Sequence, residues 1–170
     1  MYHLYYLRAV KCILHYLTSC NQLVHYFQTD KRIIIIFYPK SKNKRENLTL
    51  NLAFNDSTAS ISFLGNIFAV GGQPHSNETY KINLNTCKFI KKTNMVRGKS
   101  EHGLCIANGE IYSIGRYDNP EYLNDCQVYS ISYDKWRSLP PLCTPSSCTA
   151  AFSFNNKIIY ALGGGIANRI

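Results

Sequence analysis

A short pattern occurs three times in this chain at nearly constant spacing. Gly65-Asn66-Ile67-Phe68-Ala69-Val70-Gly71-Gly72 recurs as Gly109-Glu110-Ile111-Tyr112-Ser113-Ile114-Gly115-Arg116, and again as Asn156-Lys157-Ile158-Ile159-Tyr160-Ala161-Leu162-Gly163-Gly164. Ile67 and Ile111 are 44 residues apart, and Ile111 and Ile159 are 48 apart. A period of that length confines the chain to folds that copy one supersecondary unit and stack the copies. Each copy reads apolar, aromatic, small, apolar and then glycine, which is a strand with a tight exit. The small residue lets a neighbouring sheet pack close, and the glycine lets the chain turn without a Cβ clash.

The residues around each copy extend the unit. Leu64-Gly65-Asn66, Asn108-Gly109-Glu110 and Asn155-Asn156-Lys157 are turn signals, and Asn-Gly is a strong hairpin signal. An earlier strand must enter each turn: Thr58–Phe63, Gly103–Ala107 and Thr149–Phe154. A polar loop and a second strand pair follow. In one unit these are Thr79–Leu84 and Phe89–Lys91, and in the next Cys126–Ile131 and Trp136–Pro140. Ile82 and Phe89 are seven residues apart, as are Tyr129 and Trp136. A four-stranded antiparallel unit of this size is a propeller blade, and the fold class is all-β.

The pattern resembles the kelch repeat. The resemblance rests on Ile67–Gly72 with Ile82 and Phe89, on Ile111–Arg116 with Tyr129 and Trp136, and on Ile159–Gly164, and it covers about residues 55–164. Met95–Gly103 also resembles the family's lead-in to a first strand. There are departures. Arg116 replaces the second glycine of its pair, so a looser turn is expected there. Ile82 stands where the family favours Tyr, and Phe89 where it favours Trp. Lys99 and Ser146 stand where an Arg often opens the first strand. The resemblance implies an incomplete kelch-type propeller, with blades at 55–95 and 96–142, the inner half of a blade at 143–170 and the outer half of another at 31–54. In that outer half, residues 32–38 and 47–52 are the expected strands, joined by a turn over 39–45.

Residues 1–30 differ in kind. Leu7, Val10, Leu14, Leu17, Asn21 and Val24 alternate spacings of three and four. That predicts a short helical segment, either a coiled-coil seam with an axial Asn or one amphipathic helix docked on the propeller. Both readings stay open.

Closed propellers use four to eight blades. Two whole and two half blades do not obviously close. The expected origin is a fragment of a longer kelch protein. Self-association that completes the ring and a marginal open arc are the other two readings.

Composition bounds the function. With 170 residues and 45% apolar side chains the chain can bury a core. The longest apolar run, Ile33–Tyr38, is too short to span a membrane. The net charge of +9 sits mostly in residues 1–50, where eight basic side chains face two acidic ones. The run Lys40–Arg45 has no interleaved aromatic residue and reads as a solvated loop, so no nucleic-acid partner is expected. The seven Cys include no Cys-x-x-Cys, and Cys12, His15, Cys20 and His25 fit no zinc spacing. Unpaired thiols suit a reducing cytoplasm. Three N-glycosylation sequons begin at Asn47, Asn55 and Asn77, about the number chance gives, and the N-terminus does not read as a signal peptide.

No nucleophile, acid–base pair or metal set is legible, so no enzyme, cofactor or metal is expected. The resemblance implies a non-catalytic adaptor or scaffold that binds a protein or peptide on its blade-end loops. The expected contact residues are Gln73, His75, Asn77, Arg97, Lys99, Arg116, Tyr117, Asn119 and Tyr122. Gly71, Gly72, Phe89, Gly115, Tyr129, Trp136, Gly163 and Gly164 are expected to be structural. A truncated product without its own function is the rival reading. A copper-dependent oxidase on the same fold is the remote one.

Overall fold

Each strand of this chain pairs antiparallel with the strand before it until a blade is complete. The computed structural model describes residues 54–163, except 56, 74–75, 84–85, 87, 119–120 and 147–149, together with the backbone of four strands nearer the N-terminus. Those four are β1 (His15–Tyr16), β2 (Leu23–Tyr26), β3 (Ile33–Tyr38) and β4 (Lys44–Thr49), which form one sheet in that order. A second sheet holds β5 (Ala59–Phe63), β6 (Asn66–Val70), β7 (Thr79–Asn83) and β8 (Phe89–Lys92). A third holds β9 (Gly103–Ala107), β10 (Glu110–Asp118), β11 (Glu121–Ser130) and β12 (Lys135–Leu139). β13 (Ala150–Phe154) and β14 (Ile158–Leu162) form a hairpin. We call the second and third sheets blades one and two.

Val24, assigned by its spacing to a helical seam, lies in β2 and pairs with His15 on one side and Ile36 on the other. The remainder of the helix expected over 1–30 lies outside the described residues. β3 and β4 are the third and fourth strands of that sheet. The expected outer strand over 47–52 is displaced to Lys44–Thr49.

Three inner turns share one backbone conformation. Asn108 and Gly109 have φ of 50° and 74°, and Asn155 and Asn156 have 50° and 55°. Leu64 and Gly65 have 46° and 71°. Two successive positive φ values match the right-handed twist of the flanking strands.

Cross-strand rows carry the packing. In blade two, Ile106 lies opposite Ile111, Ile111 opposite Tyr129, and Tyr129 opposite Trp136. The blade-one row is Ser62, Ile67, Ile82 and Phe89. The residues spaced seven apart in sequence are thus direct neighbours on the sheet. The blade-two row packs on the opposite face of blade one, where Ala59, Ile61, Phe68 and Val70 join Met95, Leu104, Ile111, Tyr129 and Trp136 in one buried cluster. β9 lies against both β5 and β13, so the inner strands stand side by side and the sheets radiate from them.

Blade two corrects the expectation of a looser turn at Arg116. Gly71 and Gly72 both take positive φ, 69° and 122°, and end β6. In blade two only Gly115 does so, at 66°. Arg116 stays extended and pairs with Leu123 beyond a register shift between Ile114 and Arg116. β10 therefore runs on through a β-bulge. Tyr117 then pairs with Tyr122 and Asp118 with Glu121. Most of the loop expected over 116–122 is the tip of a long hairpin.

Candidate functional site

The blade-end surface stands on a repeated backbone lattice. The Gly72 amide donates to the Lys99 carbonyl (2.8 Å), and the Arg116 amide donates to the Ser146 carbonyl (3.1 Å). The return bonds also repeat: the Lys99 amide donates to Ser76 (3.1 Å) and the Ser146 amide to Leu123 (3.3 Å). Each blade's exit is thereby stitched to the lead-in of the next. Gly71 makes the first approach sterically feasible, because a Cβ there would lie 2.3 Å from the Lys99 carbonyl oxygen.

Buried polar side chains fix the loops from beneath. Gln127 is 1% exposed. Its Oε1 accepts from the Val96 amide (2.9 Å) and the Arg97 amide (3.3 Å), and its Nε2 donates to the Arg97 carbonyl (3.0 Å). Lys99 Nζ donates to the carbonyls of Asp125 (2.6 Å) and Gly115 (3.2 Å) and lies 3.2 Å from the Asp125 carboxylate. Burial pushes the Lys99 ammonium below the usual lysine range, and Asp125 pulls it part of the way back. Asp125 also pairs with Arg116 Nε at 3.0 Å, and Arg116 Nη1 donates to the Gly98 carbonyl (2.9 Å).

The structure separates the expected contact residues into three groups. Gln73, Asn77 and Arg97 are exposed. Arg116, Tyr117 and Tyr122 are half-buried at the hairpin tip, where the two tyrosine rings lie 5.4 Å apart. Lys99 is 0% exposed, which corrects its assignment as a contact. Its ammonium is held by carbonyls and Asp125 and presents no surface to a partner. His75 and Asn119 lie outside the described residues.

Among the residues assigned as structural, Tyr129 and Trp136 are buried, and Phe89 is half-buried at the edge of blade one. Gly163 is exposed, with φ of 67°. Gly164 lies outside the described residues. Gln127 and Asp125 escaped sequence reasoning. Gln127 had a signal, a lone amide in the run Cys126-Gln127-Val128-Tyr129, because such an amide needs buried partners. Asp125 had none.

The cavity lined by Phe54, Thr58, Gly71, Glu78 and Tyr80 is about 50 Å³, room for a water or two rather than a metabolite. Among the described residues, no group of three His, Cys, Asp or Glu side chains is placed to hold a metal. Burial pushes the Cys105 thiol up to about 12, out of nucleophile range at neutral pH. No helix among the described residues is long and apolar enough to cross a membrane.

Comparison with known proteins joins this geometry to a family. Residues 98–142 match the model of the Kelch motif, a span that includes β9–β12 and the Lys99 lead-in. The chain carries a kelch repeat. It is 26% identical over 107 residues to Kelch-like protein 6 of Homo sapiens, covering 63% of this chain and 17% of that one. It is 31% identical over 101 residues to Kelch repeat protein C2 of Vaccinia virus (strain Western Reserve), covering 58% of this chain and 20% of the relative. It is 25% identical over 91 residues to Kelch repeat and BTB domain-containing protein 2 of Cowpox virus, covering 54% and 16%. The chain therefore aligns with no more than about a fifth of the length of these curated relatives.

Proposed function

We propose that this kelch-repeat chain is a non-catalytic protein-binding module that works in the cytoplasm as an adaptor or scaffold. A protein or peptide partner docks on the blade-end surface made by Gln73, Asn77, Arg97, Arg116, Tyr117 and Tyr122. The observation that carries this reading is the division of labour between Gln127 and the residues above it. A buried amide fixes the Val96 and Arg97 amides while Arg97 stays exposed. A pre-ordered loop loses little entropy on binding. Tyrosine and arginine are also the side chains that carry most interface energy. The free thiols Cys105, Cys126 and Cys143 support a reducing compartment.

The test compares the immobilised chain with an Arg97→Ala/Tyr122→Ala variant for retained proteins, read by mass spectrometry. The expected result is a stoichiometric partner that the variant loses while its circular dichroism is unchanged. A partner retained equally by both proteins overturns the assignment of this surface. Turnover that follows added copper overturns the non-catalytic reading.

A further inference from the structure

One turn of this chain is both strained and apolar. Leu64 takes a φ of 46° with its side chain 70% exposed, where the other two units place Asn108 and Asn155. A bulky residue in the left-handed region costs stability, and an exposed one gains little packing in return. Strain kept at an exposed apolar side chain points to a contact outside the chain.

Leu64 lies at the end of the blades opposite the blade-end loops. In an antiparallel four-stranded sheet the first and third turns fall at one end. The Gly72–Lys99 and Arg116–Ser146 bonds join the loop ends of successive units, so their turn ends lie together on the other side. That side carries one exposed lysine per unit. Lys88 ends the row Phe63, Asn66, Asn83 in blade one. Lys135 ends the matching row Ala107, Glu110, Ser130 in blade two. Lys157 lies in the β13–β14 turn, the counterpart of Asn108-Gly109, which stays exposed although β9 has strands on both sides. Tyr133, 85% exposed, stands in the β11–β12 turn two residues from Lys135.

The charge at this end is not neutralised locally. Glu110 is taken up by Arg137 at 3.2 Å, and Asp134 by Lys92 at 2.9 Å. No described carboxylate is left to pair with the three lysines. At the loop end the cations are matched: Lys91 by Glu78, and Lys99 and Arg116 by Asp125.

We infer that the turn end of the blades docks on an anionic lipid surface. Leu64 and Tyr133 enter the headgroup layer, and Lys88, Lys135 and Lys157 meet the lipid charge. An ammonium on a flexible stem is a point charge that needs no fixed counterpart, and lysine is depleted from protein interfaces. Tyrosine concentrates at the headgroup level of membranes. Apolar contact and attraction to anionic lipid add together, so a patch of this size gives weak, reversible association. The cytoplasmic leaflet is the negatively charged one, which suits the compartment proposed above. Docking by this end leaves the blade-end loops facing away from the lipid and open to a protein partner.

Co-sedimentation of the whole chain with vesicles tests this. Binding is expected to vesicles that mix phosphatidylcholine with phosphatidylserine, and not to phosphatidylcholine alone. It is expected to be lost in about 1 M salt, where charges are screened within about 3 Å. Leu64→Asn is expected to bind about tenfold more weakly although its fold is the more stable. Lys88→Ala/Lys135→Ala is expected to bind about 25-fold more weakly, about fivefold for each lysine. Lys91→Ala, which removes a charge from the loop end of blade one, is expected to bind as the wild type does. So is Thr79→Val, which loosens the interior without touching the patch. Absence of vesicle binding, equal binding to neutral vesicles, or indifference to the Leu64 and lysine variants would overturn the inference. Stronger binding by Thr79→Val would also overturn it, by showing that unfolded chain is what adheres. Retention on immobilised polyglutamate without vesicle binding would overturn it in favour of an acidic protein partner.

Discussion

Trp136 of blade two donates its indole N–H to the Thr79 hydroxyl of blade one at 3.0 Å, inside the interface between the blades. Thr79 is 0% exposed and Trp136 is 4% exposed, so neither group has water to fall back on. The indole also packs at 5.2 Å from the Tyr129 ring. One side chain thus completes its own sheet and anchors the next. Trp136→Phe keeps much of the ring but strands the Thr79 hydroxyl, and is expected to cost about 1–3 kcal/mol. Thr79→Val strands the indole N–H and is expected to cost a similar amount. Urea unfolding of both single variants and the double variant is the check. The double variant is expected to lose less than the sum, because the two changes remove one shared bond.

Gly71 and Gly109 make a matched pair for backbone chemistry. Their φ values are 69° and 74°. A Cβ on Gly109 would meet nothing within 4 Å, whereas one on Gly71 would lie 2.3 Å from the Lys99 carbonyl oxygen. Gly109→Ala is expected to cost about 1–2 kcal/mol, the strain of an L-residue in the left-handed region. Gly71→Ala must add displacement of the lead-in at Lys99 and is expected to cost more. Equal midpoints in thermal unfolding would contradict the close approach.

Leu64 occupies the turn position that Asn108 and Asn155 fill in the other units. Its φ is 46° and its side chain is 70% exposed, so no packing offsets the strain. Asn tolerates that conformation, because its side chain bonds locally to the backbone. Leu64→Asn is expected to stabilise the chain by about 1 kcal/mol. A lower denaturation midpoint in the variant would contradict this.

Asp134 links the outer strands of the two blades. Its Oδ1 accepts from Tyr129 Oη (2.6 Å) and the Thr93 amide (3.1 Å), and its Oδ2 lies 2.9 Å from Lys92 Nζ. Partial burial alone would raise this carboxyl, but the hydrogen bonds from Tyr129, Lys92 and the Thr93 amide outweigh it and hold it at about 2. The unfolded value is near 3.8. The folded value is the lower one, so the stabilisation is present above about 3.8 and is lost as pH falls toward 2. Asp134→Asn removes this dependence. The stability difference between wild type and variant is expected to be level above pH 5 and to shrink below 4. Urea midpoints measured from neutral pH to pH 2 read it directly. A difference that stayed constant through that range would contradict the sign.

The pattern Ile111-Tyr112-Ser113-Ile114-Gly115 and its two counterparts made the blades legible, because a repeat states its period and its turn chemistry locally. The expected inner strands begin or end within a residue of those observed, as Thr58–Phe63 against Ala59–Phe63 shows. The blade-end surface was less legible. Lys99 reads in sequence as a loop cation, yet its ammonium is buried among carbonyls from β10 and β11. Arg116 reads as the start of a loose turn, yet it extends β10.

Alternation, glycine placement and the seven-residue spacing of Tyr129 and Trp136 determined the antiparallel blade and its resemblance to the kelch repeat from sequence alone. These are local features, and φ limits and strand pleat decide them within a few residues. The tertiary structure alone decided which polar side chains face inward and which apolar ones are left bare. Gln127 is buried because the Met95–Gly98 lead-in crosses above it, and Phe152 is exposed because no other described strand lies over its face of the hairpin. Burial is a property of neighbours brought together from distant parts of the chain, so a strand's own pattern does not fix which of its faces will be covered.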